Sequence, residues 1–463
     1  MFDAKIYVQR RAGLKKAIES GLLFFLGNDE SPMNYTDNPY HFRQDSSFLY
    51  YWGLDNPGLA AIIDIDGDKE MLFGDDLTVE EIVWMGPQPT LRERSLQCGV
   101  RETGPSKDLE VTLKAAVREG RAIHFLPQYR SDSILKVQHL LGIHQGPVND
   151  YASKVLTKAV IDQRAVKKRE EIEQIEAAIA ITYDMQTMAM RESKAGMYER
   201  EVAGAMEGIA VSKGGNLAFP IIFSVHGETL HNHFHGNKMK SGDIVVNDSG
   251  AESSLHYASD ITRTFPVGGR FSERQKDIYR IVLSAQEAGM RSIKPGVKFK
   301  DVHILMCKVL ASGLRDLGLM RGDLDEAVNE GAHALFFQCG SGHMMGLDVH
   351  DMENLGEDLV GYGDGIRRSE QFGLRSLRLA KALQPDFVVT VEPGLYFIPQ
   401  LIDAWKASKK LAQFVDYQMV EKYRDFGGIR VEDDVLVVDD GYRLLGKIIP
   451  KTIEEVEGLS SRQ

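Results

Sequence analysis

Cysteine is scarce in this chain. Its 463 residues include three, Cys98, Cys307 and Cys339, too few and too widely spaced for a disulfide framework or an all-cysteine zinc cluster. A reducing, cytoplasmic setting is expected. Long apolar runs are missing as well. No stretch approaches the roughly 18–20 apolar residues a membrane-spanning helix needs, and MFDAKIYVQRRAGLKKAIESG lacks a signal-peptide-type apolar core, so no membrane partner is expected. Basic charge is in deficit: 67 acidic residues against 55 basic ones give a net charge of −12. With no basic run interleaved with aromatics, nucleic acid is excluded as the main partner. Low-complexity segments and short repeats are also absent. What remains is 43% hydrophobic and 26% charged, as in ordinary globular proteins, over a length that suggests two domains.

The first part of the chain alternates helix and strand patterns. Residues 8–20 read as a helix stopped by Gly21, LLFFLG as a buried strand, and AAIIDIDGDKEMLFGDD as a hairpin turning at Asp66-Gly67. LTVEEIVWMG suggests a short helix or strand, and AIHFLP another buried strand. Such alternation predicts an α/β layer on a mostly parallel sheet. Near residue 160 the pattern changes to a long helical stretch carrying Val166, Ile172, Ile175, Ile179 and Met185. A domain boundary is therefore placed between 1–160 and 161–463. Further on, Ser272 with Gln275 forms a capping-box pattern before another helix. The last third returns to strands, VVTVEPGLYF and GIRVEDDVLV.

Acidic residues in these later segments carry the chemistry. Asp248 ends the strand pattern DIVVND, and Asp260 opens DITRTF, so a hairpin could set both carboxylates on one face. Taken alone, each Asp could equally be a turn residue. Glu392 and Glu432 lie within β-branched and aromatic runs, where an unpaired carboxylate is costly; a pairing with Arg430 is the plainer reading for one of them. His343 stands in GSGHMMGLDVHD, a glycine-rich turn entering a strand or helix, with His350 seven residues on. HGETLHNHFHGN adds His226, His231, His233 and His235, either a solvated loop or a contributor to a site. Asp248, Asp260, His343, Glu392 and Glu432 together look like ligands for two metal ions. Four carboxylates cannot all ionise in one small dry pocket unless cations balance them. The oxygen-rich set suits Mn(II), with Co(II), Zn(II) or Fe(II) as rivals.

These residues, in this order, resemble the aminopeptidase P / prolidase branch of the methionine-aminopeptidase-like "pita-bread" metallopeptidases. NDSGAE–YASDITRTFP, GHMMGLDVHD, TVEPGLYF and GIRVEDD each resemble a metal segment of that family, and NPYHFRQDSSFLYYWGLDNPG resembles its N-terminal domain. The resemblance implies an α/β N-terminal domain of aminopeptidase P type, then an α+β pita-bread catalytic domain holding two divalent ions. It implies that Glu392 also shuttles a proton, that His231 and His350 contact the substrate near the scissile bond, and that Arg430 orients the carboxylates. FGLRSLRLAKALQPDFVVTVEPGLYF is similar to animal-type prolidases, with Arg378 where those enzymes grip the free carboxylate of a dipeptide. Two departures stand out. The loop between Asp248 and Asp260 is one residue longer than the usual pattern, which could shift or bulge the hairpin. Cys339, in FFQCGSGH, stands where most relatives have a His, and reads as a buried thiol or an oxidation-sensitive one.

The expected activity is hydrolysis of the bond between an N-terminal residue and a following proline, with dipeptides favoured and longer Xaa-Pro peptides as the alternative. Homo-oligomers, dimers or tetramers, are expected. Metal-free binding modules of the same fold typically lose ligands, and creatinase-like hydrolases lack the full set; this chain keeps all five.

Overall fold

The computed structural model describes residues 1–363 and 365–461. They form two compact units, Met1–Arg164 with Met352–Gly356, and Ala165–Asp351 with Glu357–Gln463. No helix among the described residues is long and apolar enough to cross a membrane.

The first unit is built on five strands: β1 (Leu22–Leu26), β2 (Ala60–Asp64), β3 (Lys69–Phe73), β4 (Glu102–Gly104) and β5 (Ile123–Phe125). Their order is β4-β3-β2-β1-β5. Alternating side chains supply both faces. Leu22, Phe24 and Leu26 pack with Leu113 and Val137 of the helices Ser106–Arg118 and Ser131–Leu141. Phe25 points the other way, its ring 4.8 Å from that of Trp52. The expected parallel sheet is instead mixed. β1–β2 and β2–β3 run antiparallel, while β1–β5 and β3–β4 run parallel. For β2–β3 the cause is local: the Asp66-Gly67 connection is too short to carry the chain back to the same edge, so it makes a hairpin. LTVEEIVWMG resolves as a helix, Val79–Met85.

The long helical stretch is two helices, Lys154–Ala165, which falls almost wholly in the first unit, and Arg169–Glu192 in the second, with Val166 in neither. Between them the backbone N–H of Lys167 donates to Asp386 O, and its ammonium lies 2.9 Å from Asp351, both side chains buried. Ile175, Ile179 and Met185 are buried as the stripe required, and the Ser272–Gln275 capping box forms. Strands β6 (Ile222–Ser224), β7 (Ile244–Ser249) and β8 (Ile261–Pro266) form one antiparallel sheet. The register of β7 on β8 runs unshifted into the loop, where Glu252 bridges Ala258. The longer loop therefore neither slips nor bulges the hairpin; it closes at Ser253–Tyr257 with His256 at φ 65°.

The remaining strands are β9 (Val388–Val391), β10 (Gly394–Tyr396), β11 (Gly428–Arg430), β12 (Asp433–Val438) and β13 (Gly441–Leu444). Here the sequence expected two unbroken strands through Glu392 and Glu432, and both are interrupted. β9 pairs β12 with Val391 opposite Asp433, and β10 pairs β11 with Gly394 opposite Arg430. The same count carried across the gap puts Glu392 opposite Glu432 and Pro393 opposite Val431. Pro393 has no N–H to give the ladder, and two carboxylates face to face repel. Across the gap the Val431 N–H reaches Pro393 O at 3.4 Å.

Arg263 ties β8 to this interruption. It is wholly buried and donates to the carbonyl oxygens of Thr262, Glu432, Ile449 and Pro450 and to the Asp433 carboxylate. Replacing it with Met leaves several buried acceptors unpaired. Arg263→Met is expected to destabilise the metal-free protein by about 3–5 kcal/mol, read from urea unfolding. A loss below about 1 kcal/mol would show that Arg263 does not hold this junction.

Candidate metal centre

The carboxylates come together because three strand edges end at one place. Asp248 is in β7, opposite Thr262 of β8. Asp260 precedes β8 by one residue and stands two before Thr262, on the same side of the strand. In the hairpin register it faces Gly250, where a Cβ would lie 1.8 Å from the Ser259 carbonyl oxygen; no larger residue fits beside it. β8 in turn meets the broken ladder, with the Glu432 N–H donating to Thr262 O at 3.0 Å. The GSGHMMGLDVHD segment is neither strand nor helix. It runs along β9, bridging Met344 to Val389, and the N–H groups of Thr390 and Glu392 donate to His343 O and Ser341 O.

All nine site residues read from the sequence border one cavity of about 500 Å³: Asp248, Asp260, His343, Glu392, Glu432, His231, His350, Arg378 and Arg430. Nε2 of His343 lies 3.3 Å from Asp260 Oδ2 and 3.6 Å from Glu392 Oε1. Nδ1 of His343 is 3.0 Å from the Met344 carbonyl oxygen. That oxygen can only accept, so in the neutral ring the proton sits on Nδ1 and Nε2 turns a lone pair toward two carboxylates. Arg430 is buried and donates to Asp248 Oδ2, to the Tyr396 hydroxyl at 2.8 Å and to Thr262 Oγ1 at 3.1 Å. The Thr262 hydroxyl passes this on, donating to Glu432 Oε2 at 2.6 Å. One oxygen of each of Asp248, Asp260 and Glu432 is buried with no hydrogen-bond partner. Orphaned oxygens converging with an imidazole lone pair are what a divalent cation would satisfy, so these residues fit a metal centre. Asp260, His343 and Glu432 present donor atoms within 4.8 Å of one another.

Electrostatics agree with the geometry. Burial is the first cause pushing the carboxyls of Asp260, Glu392 and Glu432 up. Asp248 adds to the rise at all three, while Arg430 opposes it. Without cations, burial and mutual repulsion favour protonation of these carboxyls.

The other predicted residues surround this core. The His350 ring is 4.3 Å from that of His343. His231 lies at the exposed edge of the cavity. Arg378 borders it and bonds Glu357 at 3.0 Å. Of the other histidines in the His-rich segment, His233 reaches the cavity; His226 pairs with Glu228, and His235 donates to Ile221 O. Cys339 is partly buried on the wall, its thiol pushed up to about 12 by burial and by Glu392. Thr262, Tyr396 and Asp434, which accepts from the Asp260 N–H at 3.0 Å, escaped sequence reading. Only Thr262 left a signal, two residues after Asp260 on the same strand face.

The raised carboxyls set a pH dependence. A carboxyl whose folded pKa exceeds its unfolded value stabilises the fold fully below about pH 4. That contribution is lost as pH rises through the folded value. The metal-free protein loses this stability toward neutral pH, whereas cations recover it by displacing the protons. Mn(II) should therefore raise the melting temperature more at pH 8 than at pH 5, as thermal unfolding with and without metal would show. Equal shifts at both values would contradict it.

Residues 173–439 match "Metallopeptidase family M24", and residues 7–124 match "Aminopeptidase P, N-terminal domain". The chain is 31% identical over 452 residues to the Xaa-Pro dipeptidase of Homo sapiens, covering 95% of this chain and 89% of that one. It is 30% identical over 466 residues to a probable Xaa-Pro aminopeptidase of Sordaria macrospora, covering 98% and 95%. Among solved structures, zinc-substituted Escherichia coli aminopeptidase P in complex with product superposes with a TM-score of 0.81 at 27% identity, covering 100% of this chain and 99% of that one. The ligand-like cluster falls inside the matched catalytic region, and the chain belongs to metallopeptidase family M24, with an aminopeptidase P-type N-terminal domain.

Proposed function

We propose that this protein is a dinuclear-metal exopeptidase that hydrolyses the bond between an N-terminal residue and a following proline, with dipeptides as favoured substrates. The observation that carries the reading is the meeting of four acidic side chains and His343, several with orphaned oxygens, on one wall of a peptide-sized cavity. Asp248, Asp260, His343, Glu392 and Glu432 would hold two divalent ions, and the hard ligand set favours Mn(II). Bound there, the ions would polarise the scissile carbonyl and supply hydroxide near neutral pH.

The chain's own residues do the rest. Glu392 takes a proton and returns it to the prolyl nitrogen. His350 stabilises the developing charge on the carbonyl oxygen, and His231 contacts the substrate beside the scissile bond. Arg430 holds Asp248 in place from behind, and through Thr262 it also steadies Glu432. Phe219, Pro220, Ile222 and Val349 give the cavity an apolar side suited to a pyrrolidine ring. A prolyl amide has no N–H, and this arrangement asks for none.

Dipeptide preference rests on Arg378, a guanidinium fork on the cavity wall suited to a free α-carboxylate. The second reading, an aminopeptidase acting on longer Xaa-Pro peptides, draws on the likeness to aminopeptidase P. Three unpaired cysteines support a reducing, cytoplasmic setting. Exposed Val79, Val83, Trp84 and Met85 on one short helix of the first unit support a homo-oligomer.

Steady-state assays on the Mn(II)-loaded enzyme test these roles. Glu392→Ala should lower kcat on Gly-Pro by about 10²–10⁴-fold; near-normal turnover would remove Glu392 from the chemistry. Arg378→Ala should raise KM for Gly-Pro by about 10–100-fold and leave Gly-Pro-Pro little changed. Faster cleavage of Gly-Pro-Pro than of Gly-Pro by the unaltered enzyme would favour the second reading.

A further inference from the structure

A second group of metal-type donors, distinct from the carboxylates, lies in the same unit. His303 and Cys307 are four residues apart on the helix Phe299–Asp316, so they share a face. His333 comes from the 3-10 turn Ala332–Leu335. Each of the three residues is at most 1% exposed, and their donor atoms lie within 4.8 Å of one another. Cys307 Sγ is 3.4 Å from His303 Nε2. The other ring nitrogen of His303, Nδ1, is 2.9 Å from the Ser341 hydroxyl. With the proton on Nδ1 and Ser341 accepting, Nε2 turns its lone pair toward Cys307. Neither nitrogen of His333 has a hydrogen-bond partner, a costly state for a buried imidazole.

We propose that His303, Cys307 and His333 form a closed, three-coordinate site for a soft monovalent metal ion, Cu(I). Thiolate and imidazole donors select soft and borderline ions rather than the hard ones suited to the carboxylates. Charge separates the candidates further. One thiolate with one Cu(I) is neutral, as a dry interior requires, whereas Zn(II) would leave a net positive charge. Zinc would also need a fourth ligand, and the cluster among the described residues has three. On binding, the Cys307 thiol gives its proton to water and its sulfur bonds the ion. Burial keeps both imidazoles neutral, His303 pushed down to about 3 and His333 to about 4. An ion bonded at about 2.0–2.3 Å holds its donors roughly 3.3–4 Å apart. The His303–Cys307 pair already has that spacing, and the nearest donor of His333 lies within 4.8 Å of both. Ser341 links the two sites, since its carbonyl oxygen accepts from the Glu392 N–H at 3.0 Å.

The test fills the carboxylate centre with Mn(II), then titrates the intact protein with Cu(I) under anaerobic conditions against bicinchoninate. One equivalent per chain should be retained by the unaltered protein and by Cys339→Ser, and lost in Cys307→Ser and His333→Leu. X-ray absorption on the unaltered protein, which needs no variant to fold, should show copper bonded to one sulfur and two nitrogens. No retention by the unaltered protein would overturn the proposal, as would retention that survives both Cys307→Ser and His333→Leu. Loss of copper in Cys339→Ser would overturn it by placing the ion on the carboxylate cavity wall. Retention of Zn(II) but not Cu(I) would overturn the monovalent assignment.

Discussion

The second unit is organised around a repulsion. Glu392 and Glu432 stand opposite each other in an antiparallel ladder that would otherwise run unbroken from β9 and β10 onto β12 and β11. Asp248 and Asp260 arrive from the neighbouring hairpin. Burial and mutual repulsion push the carboxyls of Asp260, Glu392 and Glu432 up together, so the fold is strained toward protons or cations. A pocket built only for stability would place apolar side chains at this junction.

The surrounding chain holds the strained groups rather than relieving them. Arg430 bonds the Asp248 carboxylate directly but Glu432 only through Thr262. Arg263 acts from β8. It grips the backbone oxygen of Glu432 and the adjacent Asp433. Asp434 fixes the Asp260 backbone. Each contact fixes position while leaving a carboxylate oxygen unsatisfied, the arrangement expected where those oxygens serve a ligand.

Much of this was legible in the sequence, for identifiable reasons. Five donors with their flanking segments carry specific chemistry, and all five meet in one cavity. Capping at Ser272 and the turn at Asp66-Gly67 are local codes, and both form. Non-local features were harder. The interruption at Glu392 and Glu432 depends on which strand faces which, and neither run of β-branched residues shows its partner. The mixed sheet of the first unit departs from the parallel pairing that helix–strand alternation suggests, since the Asp66-Gly67 hairpin makes β2–β3 antiparallel. Tyr396 and Asp434 act through tertiary bonds alone. The effect of the longer Asp248–Asp260 loop also needed the register, which shows no slip.

Counting ions tests the account most directly. Metal-free protein would be titrated with Mn(II) at pH 8 while bound metal and Gly-Pro hydrolysis are followed together. The account predicts two ions per chain and activity that rises with their occupancy, both lost when Asp260 and Glu432 are replaced by Asn and Gln. A chain that binds no Mn(II) and hydrolyses nothing, or one that stays active after those replacements, would contradict it.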